Sequence, residues 1–261
     1  MKSHIQLPHF IMRRFCHKTT SQNTNGQSVH KECVYCLDIK KKEIYEADIH
    51  DLNVKEDYYN DKAEKLLGDV ESNFGKLLTE IKTHLKTNDG NFNLEPYEQI
   101  VKKFFYMAMA RSKSILRKTI AISKYGKLFP EVFNPSGMVM AGEMLYNDTF
   151  LSDYQPMVGV SSEKNFVVPK GCWYWGAMDT PSGPQATLTL PIMPTVVIIL
   201  IKKELKKAIE DNGYPNILNV NDTTINNANI FALRQEERGD CEFLICARKD
   251  ELEELKANLS R

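Results

Sequence analysis

Residues 61–85 read DKAEKLLGDVESNFGKLLTEIKTHL, and the spacing of their apolar residues decides the fold class. Leu66, Leu67, Val70, Phe74, Leu77, Leu78, Ile81 and Leu85 recur every three or four positions. That is the period of a helix with one buried face. Asp61 stands at its start as a cap, with Glu64 three residues on in a capping-box arrangement. Asn88, Asp89 and Gly90 end it. A second helix is predicted from Pro96, suited to a first helical turn, to Lys124, with Gly126 as its stop. Ile100, Phe104, Phe105, Met107, Ala108, Ile115 and Ile120 form its apolar surface. The short connection predicts an antiparallel pair over 61–125, across which Glu71 and Arg111 are placed to meet.

On both sides of the helices the pattern turns to strands. Upstream, 33–38 and 44–47 read as a hairpin (32–47) turning at Lys40-Lys41-Lys42, and the polar stretch 17–31 as a surface loop. Downstream of Phe129, prolines at 130, 135, 156, 169, 181, 184, 191 and 194 punctuate short β-type runs. Residues 150–153, 165–168 and 187–190 fit strands, and 195–200 reads as a buried one. Helices are predicted at 203–211 and 223–236, and a last strand at 242–246. The class is α+β: an N-terminal β-hairpin, two long antiparallel helices and a mixed β-sheet in the C-terminal half (150–248), as a single domain over 1–261.

Composition narrows the function classes. The 34 basic residues balance the 34 acidic ones, so no global attraction to polyanions is expected. Residues 1–15 contain no uninterrupted apolar core of a signal peptide. The longest apolar run, 188–201, holds two prolines and is too short to span a membrane. A cytoplasmic protein with six reduced cysteines is the expectation. The glycine-rich fingerprints of NAD and ATP sites do not occur.

Candidate chemistry concentrates in residues 4–15, where His4, His9, Arg13 and Arg14 stand among the apolar anchors Phe10 and Phe15. So dense a polar cluster is expected to be tied down, with an arginine meeting an acid, because an unpaired buried charge is costly. Glu64 and Glu71, seven apart, share one helix face. With Asp153 and a histidine they form a candidate Mg²⁺ or Mn²⁺ site, and Arg13, Arg14 or Arg111 supplies a cation for a phosphate. The plainer alternative makes Glu64 a cap, Glu71 an ion-pair partner and Asp153 a turn residue. Cys33 and Cys36 invite a zinc reading, against which a strand would place them on opposite faces. The run Cys172-Trp173-Tyr174-Trp175 is either core, a partner-binding surface or a base-stacking platform.

The opening segment resembles the start of the bacterial domain-of-unknown-function family DUF4238, through His4 or His9, Pro8, Phe10, Arg13, Arg14 and Phe15. Val34-Tyr35-Cys36-Leu37-Asp38, Glu56-Asp57-Tyr58-Tyr59, the helix glutamates Glu64 and Glu71, and Arg111 follow in the family's order. Ser152-Asp153-Tyr154-Gln155-Pro156 is similar to its Ser-Asp-Asn-Pro signature with one extra residue. Leu190-Pro191-Ile192-Met193-Pro194 and a helix with Asn226, Asn227 and Asn229 complete the series. The resemblance implies an architecture and no established reaction. It leaves two readings. One is a metal-dependent, nuclease-like enzyme of bacterial defence or toxin systems, acting on nucleic acid through His4, His9, Arg13, Glu71, Arg111 and Asp153. Its Mg²⁺ or Mn²⁺ would sit on Glu64, Glu71 and Asp153. The other is a non-catalytic module that binds a partner protein.

Overall fold

The chain begins with strand β1 (Lys2–His4), helix α1 (His9–Phe15) and strands β2 (His17–Gln22), β3 (Ser28–Asp38), β4 (Glu43–Asp48) and β5 (Val54–Glu56). Helices α2 (Asp61–Thr87), α3 (Glu98–Arg111) and α4 (Pro135–Tyr146) follow. The C-terminal half holds β6 (Tyr154–Val160), β7 (Val168–Pro169), β8 (Tyr174–Met178), β9 (Gln185–Met193), β10 (Val196–Lys202), α5 (Lys203–Asp211), β11 (Ile217–Asn219), α6 (Asp222–Arg238), β12 (Phe243–Cys246) and α7 (Lys249–Lys256). The computed structural model describes residues 2–22, 28–87, 92–111, 135–146, 151–178, 180, 183–212, 217–238 and 242–259.

The long helices pack as the periodicity predicts. Ala63, Leu67, Val70, Phe74, Leu77, Leu78 and Ile81 form the buried stripe of α2. Its cap is Asn60 rather than Asp61: the Asn60 Oδ1 accepts the Ala63 N–H at 2.9 Å. Tyr97 donates to Glu80, Phe104 stacks on Phe74 with ring centroids 4.0 Å apart, and Arg111 pairs with Glu71. Numbers rise along α3 as they fall along α2, so the pair is antiparallel. Phe10 of α1 meets both rings edge-on, at 6.3 Å from Phe74 and 5.9 Å from Phe104. The predicted continuation to Lys124 and the stop at Gly126 lie outside the described residues.

Two five-stranded sheets flank this helical layer. One is mixed, in the order β11-β6-β10-β9-β8, with β11 parallel to β6 and the other pairs antiparallel. Its prolines sit where one flank is unpaired: Pro156 precedes the stretch of β6 joined to β11, and Pro191 lies beyond the end of β8. The second sheet is built on β3, which carries β4 on one edge and β2 followed by β12 on the other, with β7 beyond β12. Its residues alternate between two cores. Val34, Cys36, Val168, Phe243 and Ile245 join the main core with α1, α2, α3, β9 and β10. Leu37, Leu244 and Cys246, with Val167 just before β7, join a second core with Ala232 and Leu233 of α6 and Leu252 and Leu255 of α7. No helix among the described residues is long and apolar enough to cross a membrane.

The structure also differs from the sequence reading elsewhere. Residues 17–31 are not a loop: most belong to β2 and the start of β3, a ribbon whose residues 28–31 are exposed on both faces. No apolar alternation marks a strand that faces water on both sides. Residues 151–153 form the turn before β6, not a strand, and within 165–168 only Val168 is in one. Helix α4 was unforeseen because it is apolar nearly all round (PSGMVMAGEMLY), so no helical stripe stands out. Helix α7 was also missed, its polar surface masking the two leucines it buries.

The aromatic stack is the center of the helical layer, so Phe104→Ala should lower unfolding free energy by about 3–5 kcal/mol. Urea denaturation measures this, and a loss below about 1 kcal/mol would contradict the central role of the stack.

Candidate functional site

Backbone contacts first fix the segment that carries the histidines. Strand β1 pairs with β5, with His4 opposite Val54. The Ile5 N–H donates to the Asn53 carbonyl at 2.9 Å. With its amide oxygen turned toward the chain, Asn53 also accepts the N–H groups of Gln6 and Leu7 at 3.0 and 2.9 Å. Asn53 holds a φ of 58°, a left-handed conformation that Asn tolerates better than most residues. The Tyr59 hydroxyl donates to the Ile5 carbonyl, and Gln6 Nε2 donates to the Arg111 carbonyl at 2.9 Å. Pro8, with φ −65°, then opens α1, and its carbonyl accepts from Ile11 and Met12. Ile11, Met12 and Phe15 bury the inner face of α1. His9 and Arg13, four apart, share another face.

Around that face four elements bring charged and imidazole groups together. The rings of His4 and His9 lie 5.1 Å apart, and those of His9 and His50 4.8 Å apart. Arg13 Nε donates to Glu32 Oε2 at 3.1 Å, and His50 Nε2 lies 3.7 Å from the same oxygen. Glu32 comes from β3, on the face that also carries Val34 and Cys36 toward the main core. His50 sits in the turn after β4, where the Asp48 carboxylate accepts its N–H at 3.0 Å. The neighboring Ile49 N–H donates to the Glu32 carbonyl, also at 3.0 Å. His9, Glu32 and His50 thus offer ligand atoms that all lie within 4.8 Å of one another.

Burial depresses the pKa of His4 below its ordinary 6.5, and the neighboring His9 adds to this, while the Glu71 carboxylate opposes it. His9 is depressed first by burial, then by His50 and Arg13. The Nδ1 of His4 and the Nε2 of His9 are buried without a hydrogen-bond partner. Beneath them lies the Glu71–Arg111 pair. The Arg111 side chain is 3% exposed. Burial works against its charge, but Glu71 and Tyr59 more than offset that, and its pKa stays above the ordinary arginine value. Cys172, in a left-handed conformation with φ 72°, borders the pair. Burial pushes its thiol far up despite Arg111, which leaves it un-ionized and a poor nucleophile.

Of the residues singled out in the sequence, His4, His9, Arg13, Glu71 and Arg111 therefore form one continuous network. Asp153 stands elsewhere: it is exposed, its carboxylate meets Ser152, and its carbonyl accepts the Lys203 N–H. Glu64 accepts the Ser3 hydroxyl. The expected metal set of Glu64, Glu71 and Asp153 is thus divided among separate partners. Phe15 is fully buried and Phe10 packs against the main core, as anchors of the opening segment should. Cys33 and Cys36 are buried free thiols in β3. Trp173 and Tyr174 are core residues, which leaves only Trp175 of that aromatic run on the surface. Sequence reading missed Glu32 and His50. No spacing links them to His9, because β-pairing and the turn after β4 join them only in three dimensions.

Two measurements test this arrangement. Glu71→Gln strands the buried Arg111 charge and should cost about 3–5 kcal/mol, whereas Glu71→Met with Arg111→Met should recover most of it. A double variant no more stable than the single one, by urea denaturation, would contradict the pairing. The second concerns pH. As the pH drops below 6.5 the unfolded chain binds protons that the depressed histidines of the folded chain refuse, so folded stability declines. In chelator-containing buffer the melting temperature should fall more steeply from pH 7 to about 5 in the wild type than in His4→Gln/His9→Gln. Equal slopes would exclude these histidines as the cause.

A family model described as a protein of unknown function, DUF4238, matches residues 6–136. The match contains His9, Arg13, Glu32, His50, Glu71 and Arg111, while His4 precedes it and Asp153 lies beyond it. No curated protein and no solved structure matches the chain. With half of its length matched, and with the histidine-bearing helix, β3 and the Glu71–Arg111 pair inside that half, the chain belongs to the DUF4238 family.

Proposed function

We propose that the imidazole cluster of His4 and His9 is the active site of a divalent-metal-dependent phosphodiesterase acting on nucleic acid. The carrying observation is the convergence of two imidazoles with Arg13 on one side and the Glu71–Arg111 pair on the other. Hydrolysis of a phosphodiester needs a group that accepts a proton from the attacking water, and a cation facing the charge that develops on phosphorus oxygens. Burial, with His9 beside it, favors the neutral form of His4, and its Nδ1 has no partner, so it is the base that takes the water proton. As the water oxygen bonds to phosphorus, the ester P–O bond breaks, the leaving oxygen takes a proton from solvent water, and His4 returns the proton it accepted to solvent. Arg13, whose side chain is 57% exposed, meets the phosphate. Arg111 is too deeply buried for that role. It positions Glu71, whose charge acts on His4. A bound divalent ion supplies a more acidic water at neutral pH.

The exposed ribbon supports a polymeric substrate. Lys18 and His30 lie on the same ribbon face as Glu32, extending away from the cluster. Lys18 offers a phosphate backbone a cation there despite the neutral net charge.

Purified protein incubated with single- and double-stranded DNA and RNA, with and without Mn²⁺, tests the reading. Metal-dependent cleavage is expected, reduced about 10²-fold or more by His4→Ala and abolished with Arg13→Ala added. Cleavage unchanged by His4→Ala would overturn it. Absence of cleavage on every substrate would favor the interaction module instead, for which exposed Trp175 of β8 and Phe231 of α6 offer apolar contacts.

A further inference from the structure

We infer that His9, Glu32 and His50 bind one divalent first-row transition metal ion of the Zn²⁺ and Mn²⁺ class. They come from three elements, the first residue of α1, the strand β3 and the turn after β4, and their ligand atoms gather within 4.8 Å. Ligands around a tetrahedral ion, each about 2.0–2.2 Å from it, stand roughly 3.5 Å from one another. Side-chain rotation alone closes that gap, because the backbone is already fixed. Ile49 donates to the Glu32 carbonyl at 3.0 Å, Asp48 holds the His50 N–H, and Asn53 ties the turn to residues 5–7 leading into α1.

The donor set selects the ion. Two imidazoles and one carboxylate suit Zn²⁺, Mn²⁺ and their neighbors, whereas Mg²⁺ prefers oxygen and retained water. Three protein ligands leave a coordination position open, as in a reactive rather than a purely structural site. The His50 side chain is 58% exposed, which gives an ion a route in from solvent. The His4 ring, 5.1 Å from that of His9, stands at the buried side of the trio with an unpartnered Nδ1. Arg13 is the competitor: its Nε occupies Glu32 Oε2 at 3.1 Å, the oxygen an ion would take. Removing Arg13 therefore strengthens metal binding even as it removes the cation facing the phosphate. The place of this ion in phosphodiester cleavage rests on the proposed function, but its binding does not.

Calorimetric titration of the full chain, stripped with chelator and then dialyzed, provides the test with Zn²⁺, Mn²⁺ and Mg²⁺ alone as probes. One equivalent of Zn²⁺ or Mn²⁺ should bind, at least tenfold more weakly in Glu32→Gln and His50→Ala and several-fold more tightly in Arg13→Ala. Mg²⁺ should show no saturable uptake over the same range. His50→Ala removes an exposed ring, so its melting temperature in chelator should equal that of the wild type while the rise caused by added metal disappears. Co²⁺ should give visible absorption without a thiolate charge-transfer band. Failure to bind one equivalent, binding unchanged in His50→Ala, or a thiolate band would each overturn the inference. Stoichiometric binding without cleavage would support this site and overturn the phosphodiesterase reading. Cleavage without such binding would do the reverse.

Discussion

The buried Glu71–Arg111 pair joins the parts of the molecule that matter most for the candidate site. Arg111 ends the described part of α3, and its charge is neutralized by a carboxylate from the middle of α2. Its carbonyl accepts Gln6, so the same residue anchors the N-terminal segment to the helices. A cation this deep is tolerable only with a well-placed counter-charge. That requirement fixes the register of the helix pair and, through Gln6 and Tyr59, the height at which His4 and His9 stand above it. The placement of the two imidazoles therefore depends on an ion pair from the helices behind them.

The elements legible in the sequence are those whose burial is one-sided and local. The stripe from Leu66 to Leu85 announces α2, and the apolar run at 195–200 announces β10. Residues 203–211 form the expected helix α5. Glu71 and Arg111 were legible as partners because helix geometry relates one turn to the next across a short connection. The site was legible only in part. His4, His9 and Arg13 stand out in the sequence as a dense cluster, but Glu32 is one charge at the start of the expected hairpin, and His50 lies just beyond it with nothing to single it out. Their convergence is created by long-range pairing of β3 and by an Asn53 conformation that no periodicity reveals. Asp153 stands apart from that cluster: its type and motif suit a ligand, and its carbonyl accepts the N–H of Lys203 at the start of α5.

The two-sided second sheet explains why the cysteines of β3 were ambiguous. Cys33 and Cys36 fall on opposite faces, and both are buried because each face of the sheet is covered beyond the ribbon. Their thiols are therefore raised by burial, Cys36 to about 12, and held as packing groups. The exposed half of the same strand leaves that cover and carries Glu32 at the boundary, half-buried, where a charged side chain stays hydrated on one side and shielded on the other.

The pairing of β12 with residues 35–38 of β3 has a consequence for biosynthesis. The edge of β3 that receives β12 is made first, and its partner, residues 243–246, follows only after every element from β4 to α6. Until then the backbone groups of residues 35–38 on that edge have no strand to bond, and the faces that will contact α6 and α7 stand open. The nascent chain therefore carries an incomplete sheet until β12 emerges, the kind of long-range pairing that forms late and leaves an adhesive edge in the meantime.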